Sequence, residues 1–137
     1  MSYTIRRVNY FYVTVKDQPG EAYQLLEELA GLGVNLLAFA SVPTGPDTTQ
    51  MTIFPADSRD LVSLAKKSGM TLIGPYSAFL VQGKDELGAL VDIHRQLAHA
   101  AINVYASNGV TNGKESYGYI IYVRPADYEK AARVLNV

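Results

Sequence analysis

Residues 16–39 read KDQPGEAYQLLEELAGLGVNLLAF, and 68 positions later residues 84–107 read KDELGALVDIHRQLAHAAINVYAS. In that register Lys16, Asp17 and Gly20 meet Lys84, Asp85 and Gly88, while Leu29, Ala30, Asn35 and Ala38 meet Leu97, Ala98, Asn103 and Ala106. The match continues upstream, where Ile5 meets Ile73, Phe11 meets Phe79 and Val13 meets Val81. Downstream the offset grows by two residues, and Pro55-Ala56-Asp57 meets Pro125-Ala126-Asp127. Identity is modest, but a single register with a single pattern of elements reads as an internal repeat.

Each half reads the same way. Val8–Val15 is aromatic and β-branched, a strand pattern. After the KDQPG loop, Ala22, Leu25, Leu26, Leu29 and Leu32 recur at helical spacing, and Gly33 supplies the stop. Strands over Val34–Val42 and Thr49–Phe54 follow, joined by a turn at Thr44–Asp47. Asp57 or Ser58 caps a second helix that ends at Gly69. Met70–Ile73 reads as a short fourth strand, with Gly74-Pro75 as a break. The second half gives a strand at Tyr76–Gln82, a helix with Leu90, Ile93, Leu97 and Ala101 on one face, and strands near Ile102–Ser107 and Tyr117–Arg124. The segment Asn108–Gly113 joins those two strands, and a last helix covers about Ala126–Leu135. The fold class is α+β: two ferredoxin-like βαββαβ units with antiparallel sheets and helices on one face. The expected units are residues 1–74 and 75–137. The second ends at Val137 without a fourth strand, and Ser2–Arg6 aligns with Met70–Gly74, so the N-terminal strand 2–7 is a candidate for completing a unit's edge.

Composition narrows the function. Twelve basic residues against 13 acidic ones leave a formal charge of −1, which offers no electrostatic case for nucleic acid or an anionic membrane. With no cysteine, thiolate nucleophiles and Cys-based metal or cluster sites are excluded. No signal-like segment opens the chain, and no apolar run approaches the roughly 18 residues of a membrane span; a cytoplasmic location is expected. His94 and His99, five residues apart on one helix, point about 140° apart and cannot clamp one metal. No metal site, cofactor or catalytic residue is assigned. The repeats occupy the whole sequence, so an enzyme is not expected.

The repeated loop lies at a helix N-terminus, where unpaired N–H groups and the helix dipole favour an anion. Pro19 suits a first helical turn, and Gly20 lets another backbone or a ligand come close. Asp17 adds an acceptor for an ammonium, so donors and acceptor together match a free α-amino acid. The plainer reading is that Asp17 caps the helix and Gly20 packs. Asn35 lies 18 residues after Asp17, and Asn103 lies 18 after Asp85. Each opens a second strand at the sheet end away from its own loop, so the two can meet only across a two-fold that pairs second strands. As a plain turn residue, each Asn would need no such partner.

These residues resemble the ACT domain, and the resemblance covers nearly all 137 residues as two copies. It is carried by a strand, D-x-P-G, an amphipathic helix ending in G-V-N-L, a β-hairpin and a second helix. It implies a small-ligand-binding regulatory module, most often sensing an amino acid at the seam between paired domains. It maps ligand contacts to Asp17, Gln18, Pro19, Gly20 and Asn35, and to Asp85, Gly88 and Asn103 in the second copy. There Leu87 replaces Pro and Ala101 replaces the equivalent of Gly33, which makes the first site the stronger candidate. Side by side, the fourth strand of one unit and the first of the next would lie roughly 29 Å apart at about 4.8 Å per strand, too far for Gly74-Pro75 to span. Either edge strands are exchanged between the halves, or the two-fold relates two chains. A homodimer is expected in both cases, and Tyr10, Tyr12 and Thr14, alternating on one side of their strand, offer it a face. The alternatives are a structural pairing module without a ligand and a small ferredoxin-like enzyme with Asp17 as general base.

Overall fold

The computed structural model describes residues 2–137. Six strands and four α-helices follow in the order β1 (Tyr3–Lys16), α1 (Glu21–Gly31), β2 (Leu36–Pro43), β3 (Thr48–Pro55), α2 (Ser58–Ser68), β4 (Ile73–Lys84), α3 (Val91–His99), β5 (Val104–Thr111), β6 (Ser116–Val123) and α4 (Tyr128–Leu135). They form two compact units, Asn9–Tyr76 and Met1–Val8 with Ser77–Val137. The boundary therefore falls inside β1 and inside β4.

Within Asn9–Tyr76 the strand order is β2-β3-β1-β4, and within the other unit it is β5-β6-β4-β1. Both are the ferredoxin-like arrangement, with the first and third strands of each repeat central. The ladders are antiparallel and equivalent: Phe11 opposes Ile53 as Phe79 opposes Ile121. Each second strand carries the same irregularity, between Leu36 and Ala38 and between Val104 and Ala106. At the far edge of the unit containing Ser77–Val137, the Lys84 N–H donates to Ser2 O at 3.1 Å and the Thr4 hydroxyl to Gln82 O at 3.4 Å.

Alternation puts one face of each sheet under helices. In the first unit Phe11, Met51 and Ile53 meet Leu25, Leu29 and Leu61. In the second, Phe79, Val81, Tyr119 and Ile121 meet Ile93, Leu97 and Ala132, with Tyr3 and Ile5 packed against them. Each fully buried aliphatic side chain here contributes about 1.5–3 kcal/mol. Asp57 caps α2 by accepting from the Arg59 N–H at 3.0 Å, and Gly69 ends it at φ 77°. On the helix-free side of the first unit, Tyr76 stacks on Tyr10 and Tyr12 at 5.6 and 5.7 Å.

Several boundaries differ from expectation. Met70 belongs to no strand, because its N–H closes α2 on Ala65 O at 3.0 Å. Gly74-Pro75, a cis peptide, is no break but lies inside β4. Gly74 fits there because a Cβ would sit 2.8 Å from the Tyr10 carbonyl oxygen and from the Phe11 ring. Strand β5 runs on through Asn108–Thr111, leaving the turn at residues 112–115, where Asn112 Oδ1 accepts from the Lys114 and Ser116 N–H groups. Its Gly109 makes room for the Tyr119 ring, which a Cβ would meet at 2.7 Å. The last helix is a 3-10 turn, Pro125–Asp127, followed by α4.

Candidate functional site

The two loops are held alike. The Asp17 N–H donates to Asp47 O at 2.8 Å, and the Asp85 N–H to Glu115 O at 2.7 Å. Each loop is thus pinned to the hairpin turn of its own unit. Beyond the loop, α1 begins after Gly20, its N-cap, which adopts φ 93°. That conformation favours glycine there, and no other part of the chain lies within 4 Å of where its Cβ would stand. Pro19 precedes this cap instead of occupying the first helical turn. No side chain caps α1 or α3, so neither Asp17 nor Asp85 acts as a helix cap. The plainer reading of Asp17 fails on that point.

The second loop makes an extra turn. The Ala89 N–H donates to Glu86 O at 3.1 Å and the Val91 N–H to Gly88 O at 3.0 Å, so α3 starts two residues later than its repeat equivalent. In the first loop the Gln18 amide donates to the Glu21 carboxylate at 2.6 Å.

Beside each loop lies a hollow, and the two occupy the same place in the repeat. The first, about 200 Å³, has Asp17, Gln18, Gly20, Glu21, Ser41 and Met51 among its walls. The second, about 430 Å³, has Asp85, Glu86, Gly88, Leu90, Gly109 and Tyr119. Asn35 and Asn103 line neither; both are exposed just ahead of β2 and β5. Five of the expected contacts, Asp17, Gln18, Gly20, Asp85 and Gly88, therefore gather at the hollows. Pro19 is exposed in the turn.

The walls supplied by β5 and β6 were not foreseen, although the 68-residue offset pairs Thr49 with Tyr117 and Met51 with Tyr119. Tyr119 is fixed from two sides, its hydroxyl donating to Ser107 Oγ at 2.8 Å and lying 2.7 Å from His94 Nε2. His94 is thus a half-buried partner of a tyrosine, while His99 is exposed. The Tyr117 hydroxyl is buried with no hydrogen-bond partner, an arrangement that costs about 1–3 kcal/mol. Burial, with Glu86 nearby, raises its pKa above the ordinary phenol value. Among the described residues no cluster of three His, Cys, Asp or Glu could hold a metal, and no helix is long and apolar enough to cross a membrane.

No protein-family model matches the chain, and no curated protein sequence does either. Solved structures do. Protein BT0572 from Bacteroides thetaiotaomicron superposes with a TM-score of 0.79 at 15% identity, over 96% of this chain and 88% of that one. The ligand-free regulatory subunit of aspartate kinase from Thermus thermophilus gives 0.64 at 14% identity, over 99% and 95%. The fold is ACT-like. A structure of aspartokinase alpha and beta subunits adds a TM-score of 0.58 at 18% identity, over 99% of this chain and 95% of that one. At such identities the likeness is one of fold, and the ACT-like units are common to it.

Proposed function

We propose that this chain is a regulatory module that binds a small amino acid at the loops following its first and fourth strands. The observation that carries the reading is the pair of hollows at equivalent places, each bordered by the loop aspartate, Asp17 or Asp85. At the first loop a carboxylate beside a helix start without a side-chain cap offers an acceptor for an ammonium and donors for a carboxylate; at the second, Asp85 offers the acceptor. The ACT-like fold, found also in a regulatory subunit of aspartate kinase, supports it.

The module pairs with a second copy in this reading. Strands β2 and β5 each end the strand order of their own unit, and unpaired edge strands are ready-made templates for antiparallel association. Pairing there carries Asn35 and Asn103 of one chain to the loops of its partner. The ligand acts by binding two states with different affinity, and so changes the assembly or a partner enzyme. It catalyses no reaction itself. The exposed edge β5 also suits a second reading, a pairing module without any ligand.

Thermal unfolding of the purified chain against each of the twenty amino acids, at millimolar concentration, separates the two. A ligand at about 100 times its Kd adds about 2.7 kcal/mol, enough to raise the midpoint by several degrees. The expected result is a shift from one amino acid or a few related ones, lost in the double variant Asp17→Ala, Asp85→Ala. Twenty flat curves would leave the pairing module.

A further inference from the structure

We propose that the hollow beside the second loop is the principal ligand site, and that it takes an α-amino acid with an apolar side chain. The inference rests on the regulatory reading above and deepens it by naming the working site and its ligand class.

The two hollows share one frame but not one lining. At about 430 Å³ the second is of a size that small-molecule sites have, whereas about 200 Å³ falls below that range. Residue by residue, the repeat explains the difference. Where the first copy has Glu21, bonded to the Gln18 amide at 2.6 Å, the second has Ala89. A polar pair closes one hollow, and a methyl group leaves the other open. Ala22 is matched by Leu90 and Met51 by Tyr119, so the second hollow gains an apolar wall. Val110, 75% exposed, extends that wall to the mouth.

Charge decides which end of a ligand is read. Asp85 and Glu86 border the second hollow, and none of its lining residues is basic. The N–H groups of Ala89 and Val91 are already spent on Glu86 O and Gly88 O. An ammonium is therefore met by two carboxylates, while a ligand carboxylate finds little and faces the mouth. A purely anionic ligand is disfavoured. Among the described residues, the buried side-chain polar atom left without a partner, the Tyr117 hydroxyl, belongs to a residue of this same wall.

The test is isothermal titration calorimetry of the full chain with leucine, isoleucine and phenylalanine, against serine, aspartate and lysine. Isoamylamine and 4-methylpentanoate probe the ammonium and the carboxylate of leucine separately. At least one apolar amino acid should bind, and isoamylamine should retain more of leucine's affinity than 4-methylpentanoate does. Ala89→Gln, whose amide can donate to the Glu86 carboxylate as Gln18 does to Glu21 in the first copy, and Val110→Glu at the exposed mouth should each weaken binding tenfold or more, with the unfolding midpoint of the free protein within about a degree of the parent. Polar amino acids bound through Asp17, and insensitive to Ala89→Gln, would overturn this inference and leave the regulatory reading standing. Binding of an apolar amino acid untouched by both variants would overturn it as well. Silence from all six amino acids would overturn this inference, and the broader reading would fall only if the remaining fourteen were silent too.

Discussion

At the scale of single residues, the repeat shows where side-chain identity matters and where backbone does. Gly33 and Ala101 are equivalents, with φ 77° and 58°. Each donates its N–H three residues back at 3.0 Å, to Ala30 O or Ala98 O, and each next residue donates at 2.9 Å, to Leu29 O or Leu97 O. The second copy thus keeps the turn that follows its helix although alanine disfavours the left-handed conformation by about 1–2 kcal/mol. Glycine would lose about 0.5–1 kcal/mol through its freer unfolded chain. Ala101→Gly should therefore stabilise the protein by about 0.5–1 kcal/mol, seen as a higher urea midpoint at unchanged slope. A lower midpoint would mean that the Ala101 methyl packs more usefully than its exposure suggests. The same comparison bears on the hollow beside the second loop. Losing the Pro19 and Gly33 equivalents reads as decay, yet the second hollow stands with Leu87 and Ala101 in their places and Ala89 where the first has Glu21.

At the scale of elements, the fold was legible because its signals are local. Leucines at helical spacing, Asp57 and Gly69 bounding α2, and the alternation of β3 each act within a few residues. The misread stretches are those where a neighbour overrides the local signal. Gly74-Pro75 looks like a break until the Phe11 ring and Tyr10 carbonyl demand a glycine inside a strand. Gly109 looks like a loop until the Tyr119 ring lies across it. The hollow was legible by position, since the loop residues named it, but not by size, which depends on strands 20–30 residues away. The first half of β1 is an element whose contribution can be weighed. Tyr3 and Ile5 pack on the core of Ser77–Val137, the Tyr3 hydroxyl donates to Asp92 Oδ2 at 2.9 Å, and Arg7 pairs with Glu129 at 2.8 Å over the Tyr128 ring. The exposed ion pair counts for little, whereas two half-buried apolar side chains count for about 1.5–3 kcal/mol, roughly half their full-burial value. Removing residues 2–7 should lower unfolding stability by at least that much, measured by denaturant titration. A loss of a few tenths would show that this segment is a loose tail.

At the scale of the whole molecule, the same frame holds two different linings, and two tyrosines, Tyr128 buried and Tyr122 half-buried, set its response to alkali. Burial pushes both Tyr122 and Tyr128 up to about 12, and the Tyr128 hydroxyl donates to Ala78 O at 2.9 Å. An unfolded phenol titrates near 10. The folded state thus holds these protons more tightly, and their contribution is complete below pH 10 and lost as pH rises towards 12. Urea midpoints should hold steady from about pH 7 to 9 and fall steeply between about pH 10 and 12, with a shallower fall in Tyr128→Phe. An unchanged slope in that variant would remove Tyr128 from the account. The division of the chain within β1 also bears on how the protein is made. Residues up to Val8 leave the ribosome well before Ser77–Val137, which completes their unit. At about 5–20 residues per second the nascent strand waits on the order of ten seconds for its partners. Through that interval Tyr3 and Ile5 are held in a stretch that also carries Thr4, Arg6 and Arg7, and charge of one sign on an unpaired strand keeps nascent chains from sticking to one another.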